Sequence, residues 1–373
     1  MFLRIRCVYN LKCIIFASIE KNIAISSLDS YRWKKLSLYV CLITILCSCQ
    51  KQRSAYAPPT FPEVKKIHAH RLSDELLISY PLDMAVSEDY IFILALADNA
   101  WLQVYDKTTG QLLGSFVTRG QGPGEATTAN MCYYNAREKK ISVYDESSMK
   151  LLTYQFDKDA DNWGALIEER SFYDLGGTLR RVWELRNGRF LVDGQLGTKS
   201  DQQKRFQMLA DAKVVADYND FPIDTPKERS VWSSPAIAIS PDCKKMAVGT
   251  LYGGILELFD LSQNIELRAI RKFYPPVVQY LSGTIQNTEE TVWGFSALCA
   301  TDERIYSVFI GDKNPNLFNN LSVFDWDGRE LIKYNTDCLV LRICASTQEP
   351  NKLYGIAFSE THEFYLVSFS LDS

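Results

Sequence analysis

Histidine is almost absent. The 373-residue chain holds only His68, His70 and His362. A Ser-His-Asp triad would have to draw on one of these three, and no G-x-S-x-G elbow accompanies them. That weighs against hydrolase chemistry of this kind. His68 and His70 would share one face of a strand, but no Cys or carboxylate motif stands beside them to complete a zinc set. The EF-hand spacing is missing too; Asp325-Trp326-Asp327-Gly328 is only a turn-like fragment of it. Long helical periodicity is hard to find. The N-terminal apolar core, Leu36 to Leu46, is 11 residues long, short of the roughly 20 that a membrane-spanning helix needs.

Positive charge is scarce beyond the N terminus. Residues 1–48 carry seven Lys/Arg and two Asp/Glu, which leaves 34 basic against 43 acidic residues and a net of −9 for the remainder. A nucleic-acid surface needs clustered positive charge to release counterions from phosphate. An acidic body with no long basic run after Lys66 argues against such a partner.

What the chain has in quantity is aromatic residues: 20 Tyr, 19 Phe and 7 Trp. These favour strands, because they pack well on a pleated sheet. The stretch Trp101 to Glu125 sets the pattern: strand, turn, strand, then a glycine-rich loop. Its apolar-aromatic-Asp ending at Val104-Tyr105-Asp106 returns at Gln155-Phe156-Asp157, Leu209-Ala210-Asp211, Leu258-Phe259-Asp260, Val323-Phe324-Asp325 and Ser370-Leu371-Asp372. The six Asp lie 51, 54, 49, 65 and 47 residues apart. Strand-like units at such a period indicate a propeller or another stacked repeat. Most of these Asp are expected to cap turns.

Each unit divides into four strands, a to d, except the sixth, which stops after three. Residues 63–77 precede the first unit and belong to none. They are expected to complete the last blade and close the ring, removing the exposed edges of an open array. The expected fold is therefore an all-β, six-bladed β-propeller of four-stranded antiparallel blades over residues 61–373. The long interval from Asp260 to Asp325 is assigned to an insertion at roughly 274–290.

The N terminus has the layout of an export signal: basic residues Lys34-Lys35, a short apolar stretch, then small residues. Its end, Leu46-Cys47-Ser48-Cys49, resembles the bacterial lipobox. That resemblance implies cleavage before Cys49 and acylation of its thiol, with several acyl chains giving stable anchoring. Residues 1–48 are then the signal segment, whose long n-region over 1–33 is expected to reflect a start codon placed too early, and 49–60 a lipid-anchored tether. An ordinary secretory signal is the alternative. Residue 50 is Gln, and no acidic run follows, which points to the outer membrane and its periplasmic face.

The lipobox, the GQGPGE loop at 120–125, KISVYDESSMKLLTYQF at 140–156 and SPDCKKMAVG at 240–249 together resemble the TolB-like or NHL-like six-bladed propeller lipoproteins of Bacteroidetes. The last peptide is similar to the "SPDGK" hairpin of such propellers, with Cys243 in place of Gly. The resemblance implies fold and cellular address but no reaction, since propellers host enzymes, receptors and scaffolds alike.

Candidate ligand residues are few. In the RGQGPGE loop, glycines could admit backbone N–H groups to an anion, with Arg119, Gln121 and Glu125 beside them; the alternative is a plain crossover between blades. Trp101 and Trp163, near strand ends, are candidates for sugar stacking, whereas the other Trp suit packing between blades. Five Cys follow Cys49, at 132, 243, 299, 338 and 344. The odd number leaves at least one unpaired, and burial as small apolar residues is the expected role.

No catalytic residue and no cofactor is inferred; a calcium ion held in the channel by acidic residues stays open. The reading is a binding module for a protein or glycan partner. A metal-dependent propeller enzyme of the lactonase or lyase type and a structural subunit of an envelope assembly are the alternatives.

Overall fold

The computed structural model describes residues 55–161, 163–196, 204–223, 231–232, 234–281 and 284–371. The signal segment, Cys49, the first part of the tether and Asp372 lie outside them.

The described chain forms six blades around a channel, after two N-terminal strands β1 (Glu63–Ile67) and β2 (His70–Glu75). Blade 1 is β3–β6 (Asp83–Val86, Tyr90–Ala97, Ala100–Asp106, Leu112–Thr118) and blade 2 is β7–β10 (Ala129–Asn135, Lys140–Asp145, Lys150–Gln155, Leu166–Ser171). Blade 3 is β11–β14 (Gly177–Glu184, Arg189–Leu196, Phe206–Ala210, Lys213–Tyr218) and blade 4 is β15–β18 (Ala236–Ile239, Lys245–Gly249, Ile255–Asp260, Glu266–Lys272). A hairpin, β19 (Val278–Leu281) and β20 (Thr284–Asn287), occupies the expected insertion. Blade 5 is β21–β24 (Trp293–Ala300, Arg304–Asp312, Asn320–Asp325, Glu330–Thr336), and blade 6 begins with β25–β27 (Leu339–Ala345, Lys352–Phe358, Phe364–Ser370).

Composition changes from the middle of each blade to its rim. The second strand of blade 1 reads YIFILALA, and Ile91 to Leu94 are wholly buried. Such a strand faces a neighbouring blade on each side, so it is apolar without alternation, as in any sheet covered on both faces. The rim strand of blade 2, LIEERS, is exposed along its whole length.

The ring closes as the sequence implies. β2 runs antiparallel to β27, pairing His70 with Ser368 and Arg71 with Val367. The Leu366 N–H donates to Ser73 Oγ at 3.0 Å. Leu76, Met84, Ile91, Tyr354, Ile356 and Leu366 then pack blade 6 against blade 1.

The expectation for 63–77 needs one correction: only its second half joins the last blade. β1 instead adds a fifth strand to blade 5, parallel to β24, from Glu63 opposite Ile332 to Ile67 opposite Thr336. Buried Ile67 packs with Tyr334, Val367 and Phe369, which belong to both blades. Asp337 pins the crossing, accepting from Ala69 N at 2.9 Å and lying 2.9 Å from His68 Nδ1. The segment therefore clasps two blades.

Of the repeated Asp, Asp106, Asp157, Asp260 and Asp325 cap turns. Asp106 Oδ1 accepts from Thr108 N and Thr109 N at 3.0 and 2.7 Å. Asp325 Oδ1 does the same for Asp327 N and Arg329 N at 2.9 and 2.8 Å. Asp260 Oδ1 accepts from Ser262 N at 2.8 Å.

Blades 3 and 4 share a buried ion pair. Arg205, 4% exposed, meets Glu257, 0% exposed, through Nη1 and Nη2 at 3.2 and 2.5 Å. The guanidinium is surrounded by Phe206, Tyr218, Phe221 and Trp232, with ring centroids 4.3 to 5.7 Å away. Desolvating two charges costs several kcal/mol per ion, so the pair adds little net stability, whereas stranding one partner is expensive. Arg205→Ala should lower unfolding stability by about 3–5 kcal/mol, and Arg205→Met with Glu257→Leu should recover most of it. Denaturant melts of the two variants decide this; a single variant as stable as the parent would contradict it.

Asp106 gives a pH-dependent counterpart. Hydrogen bonds from Thr109 and Thr108 hold its carboxyl below the usual range. Its contribution is therefore present above the unfolded-state value of about 3.9 and is lost as pH falls through the lower folded value. Asp106→Ala should cost about 1 kcal/mol at pH 7, and the gap to the parent should close below about pH 4. Thermal melts across that range would show it.

Candidate functional site

The innermost strands of the six blades, β3, β7, β11, β15, β21 and β25, wall a channel of ≈ 760 Å³. Each enters from the crossover end and leaves at a hairpin turn. The channel consequently has a crossover mouth and a hairpin mouth with different chemistry.

Three arginines line the crossover end. Arg180 and Arg181 are consecutive on β11 and share one carboxylate. Asp193, 1% exposed, accepts from Arg180 Nη2 at 2.6 Å and from Arg181 Nη2 and Nε at 2.9 and 3.2 Å. Arg181 Nη1 also reaches Pro235 O of the next blade at 2.9 Å. Arg342, on β25, is held differently. Its Nε and Nη1 donate to the carbonyls of Leu82 and Leu341 at 3.0 and 3.1 Å, and its Cζ lies 5.7 Å from the Tyr80 ring. Arg342 pairs with no carboxylate among the described residues.

Asp83 begins β3 beside Arg342. Its Oδ1 accepts from Met84 N at 2.9 Å and its Oδ2 from Cys132 N at 3.0 Å, tying blade 1 to blade 2. Desolvation raises its carboxyl above the ordinary range, against the pull of those N–H groups and of Arg342 and Arg181. Asn130, on β7, donates from Nδ2 to Glu146 Oε2 at 2.8 Å and to Arg180 O at 2.7 Å. Its buried Oδ1 has no hydrogen-bond donor among the described residues.

The hairpin mouth holds Glu138, Glu184, Arg186 and Cys243. Burial raises the Glu184 carboxyl, with Glu138 and Glu168 adding like charge. Four of the five cysteines among the described residues, Cys132, Cys243, Cys299 and Cys344, line the channel. Burial pushes Cys132 and Cys299 well above the ordinary thiol range and Cys344 up to about 12. No three His, Cys, Asp or Glu side chains come together as a metal set among the described residues.

The residues singled out in the sequence gather elsewhere. Arg119, Gln121 and Glu125 lie in the crossover from β6 to β7, where Glu125 Oε2 accepts from Gly122 N at 2.8 Å. The loop is fastened to the rim of blade 2: Gly124 N donates to Glu169 Oε2 and Tyr154 Oη to Gly124 O, both at 2.8 Å. Trp101 Nε1 donates to Ala126 O of the same loop at 2.9 Å. Trp163 Nε1 donates to Tyr90 Oη at 3.0 Å, and its ring packs on Phe116 and Phe156. The loop and Trp101 meet at the seam of blades 1 and 2, Trp163 is joined to Tyr90, Phe116 and Phe156 and not to the loop, and none of the five lines the channel. Asp83, Asn130, Arg180, Arg181 and Arg342 were not singled out. The signal available was their place on the first strand of their units, Asp83 and Asn130 at its start and the three arginines near its middle.

The architecture defines a class: a six-bladed β-propeller with a polar channel. Residues 60–348 match the sequence profile of the TolB-like 6-blade propeller-like family. The chain belongs to that family. Searching curated protein sequences gives no match. Among solved structures, a Bacteroides fragilis protein assigned as exported is similar, with 13% identity, 84% of this chain and 98% of that chain covered, and a TM-score of 0.53. A gluconolactonase of Xanthomonas campestris has 14% identity over 85% of this chain and 97% of its own, with a TM-score of 0.48. A calcium-binding regucalcin of Agrobacterium tumefaciens has 11% identity over 82% and 95%, with a TM-score of 0.47.

Thiolates, not thiols, react with alkylating agents. Cys132, Cys299 and Cys344 should therefore resist iodoacetamide at pH 7.5 in the folded protein and react fully in denaturant. Mass spectrometry of the alkylated peptides reads this directly; rapid native labelling of Cys132 or Cys299 would show that the inner strands open.

Proposed function

We propose that this protein is an exported, lipid-anchored propeller that acts as a binding module, presenting the crossover mouth of its channel to a glycan or protein partner in the cell envelope. The observation that carries this reading is the fixed polar surface at that mouth. Arg342 is held by two backbone carbonyls, and Arg180 and Arg181 by one buried carboxylate. Donors set in place before a ligand arrives lose little entropy when it binds, which is how rigid sites gain affinity. The channel volume of ≈ 760 Å³ also falls within the ordinary range of ligand pockets, about 300–1,000 Å³.

Export is supported by the layout of residues 1–48 and by likeness to a protein assigned as exported. Anchoring rests on Leu46-Cys47-Ser48-Cys49. Acyl chains on Cys49 would hold the domain at the membrane through a short tether, with the periplasmic face of the outer membrane as its address. Cys49→Ala should move the protein from the membrane fraction to the soluble fraction, as followed by immunoblot. Unchanged retention would remove the anchor from this reading.

The binding reading itself is tested by crosslinking in intact cells and by a glycan array. A fixed partner or glycan, lost in Arg342→Gln, supports it. Stoichiometric calcium or zinc retained through dialysis, together with lactone hydrolysis, would favour the metal-dependent enzyme instead.

A further inference from the structure

Charged residues punctuate the body of this chain except at one place. Residues 273–288, FYPPVVQYLSGTIQNT, carry none, and they are the longest uncharged run in the sequence. They make the crossover from blade 4 to blade 5 and include the hairpin β19–β20.

The run is fastened to the crossover end of blade 4. Tyr274 N donates to Gly253 O at 2.8 Å, in the loop that joins β16 to β17. Thr291 Oγ1 closes the base of the hairpin, donating to Val277 O at 2.6 Å and accepting from Thr288 N at 2.8 Å. Residues directly opposite each other in a hairpin share a face. Val278 and Ile285 turn inward and pack on the core. Gln279 opposite Gln286, and Leu281 opposite Thr284, form the outward face, and all four are exposed. Val277 and Pro275 add exposed apolar surface beside it.

The tether arrives at the same edge. Ala57 N donates to Lys272 O at 2.9 Å, the carbonyl directly before the uncharged run. The exposed Tyr56 ring lies 5.6 Å from Lys272 Nζ, and that buried ammonium donates to Pro222 O at 2.7 Å. Phe61 then packs edge-on against Phe324, with centroids 5.6 Å apart, before β1 joins blade 5. The N-terminal segment is thus held to blades 4 and 5 from Ala57 onward.

Length decides what such a tether permits. Eight residues separate Ala57 from Cys49, a reach of at most about 29 Å. A compact domain of about 310 residues has a radius of gyration near 20 Å and is about 50 Å across. In a six-membered ring, blades 1 and 2 stand opposite blades 4 and 5. A leash fixed at blade 4 is too short to bring that far rim to the bilayer.

Charge favours the same edge. A membrane surface carries phosphate groups, and the body beyond residue 48 has a net charge of −9. Like charges repel at close range, so a face without charge meets headgroups at least cost. Tyrosine suits that depth, having an apolar ring and a polar tip.

We propose that the crossover edge of blades 4 and 5 rests on a phospholipid surface, with Tyr56, Val277 and Leu281 at the level of the headgroups. This rests on the lipid-anchored reading and names the side of the domain that the membrane sees. Three partly exposed side chains are too little area to hold the domain alone, so the contact acts only while the acyl chains on Cys49 keep it near.

The test uses the full-length lipidated protein in phosphatidylethanolamine–phosphatidylglycerol vesicles that contain a phospholipid with a photoactivatable headgroup. Crosslinks are mapped by mass spectrometry. Leu281, 50% exposed, and Val277, 38%, have matched controls in Leu112, 49%, and Leu166, 38%, on the rims of blades 1 and 2. Labelling at Tyr56, Val277 and Leu281 should exceed that at the controls at least fivefold. Val277→Asp with Leu281→Asp should cut labelling at this edge at least threefold, while the protein still floats with the vesicles and melts at the parent's temperature. Equal labelling of the two rims, or crosslinks between two copies at Leu281 in place of lipid, would overturn the proposal, and the parent protein alone decides this should the double variant unfold. Flotation with uniform labelling removes the orientation and leaves the anchor. A parent that does not float removes both.

Discussion

The ring depends on the meeting of β2 with β27. Ser73 and Leu366 are 293 residues apart and share a hydrogen bond. Bringing such distant points together costs about 5 kcal/mol of chain entropy, since the cost grows only with the logarithm of the separation. The seam they close buries ten apolar side chains between blades 6 and 1, from Leu76 to Leu366. Large apolar side chains contribute roughly 1.5–3 kcal/mol each when fully buried, so closure is favoured even if half that burial is counted. The parallel β1 adds a second hold on the neighbouring blade. Without that seam the innermost strands would not enclose a channel, and residues from blades 1, 2, 3 and 6 would not share a wall.

Much of the architecture was legible because each blade repeats one local solution. Asp106, Asp260 and Asp325 mark turns for a mechanical reason: a short carboxylate accepts from N–H groups two to four residues ahead. The missing fourth strand of the last unit pointed to closure by the N terminus. Cys243 is instructive in another way. It stands where similar hairpins have Gly, and its φ of 58° lies in the left-handed region that glycine adopts without cost. The hairpin kept its geometry and absorbed the strain. The destination of β1 was not legible, because a parallel partner 269 residues ahead leaves no local trace; only the side chain of Asp337, which meets His68, shows the crossing.

The site was legible only in part, for a related reason. Repetition reveals what the blades have in common, and common residues build the framework. The glycine-rich loop and Trp101 stood out as peptides, yet their polar groups are bonded to one another and to the rim of blade 2. The channel wall is assembled from single positions on different strands, each unremarkable in its own unit. Arg180-Arg181 in TLRRVWEL reads as surface charge until Asp193, on the adjacent strand, is seen buried beneath it.

The contrast between those arginines and Arg342 bears most directly on function. A buried carboxylate that fixes two guanidiniums neutralises half of the charge it positions. Backbone carbonyls fix a guanidinium and leave its charge intact, because they are dipoles and not ions. Holding a cation in this way forgoes the attraction of a counter-ion, and the loss grows as the surroundings become less polar. A framework selected only for stability would place a carboxylate in contact with Arg342, and Asp83, already on the adjoining strand, could supply one. Instead Asp83 turns both oxygens to the backbone of blades 1 and 2. The arrangement gives the inner wall its mechanical tie and leaves the arginine's charge to be met from the channel.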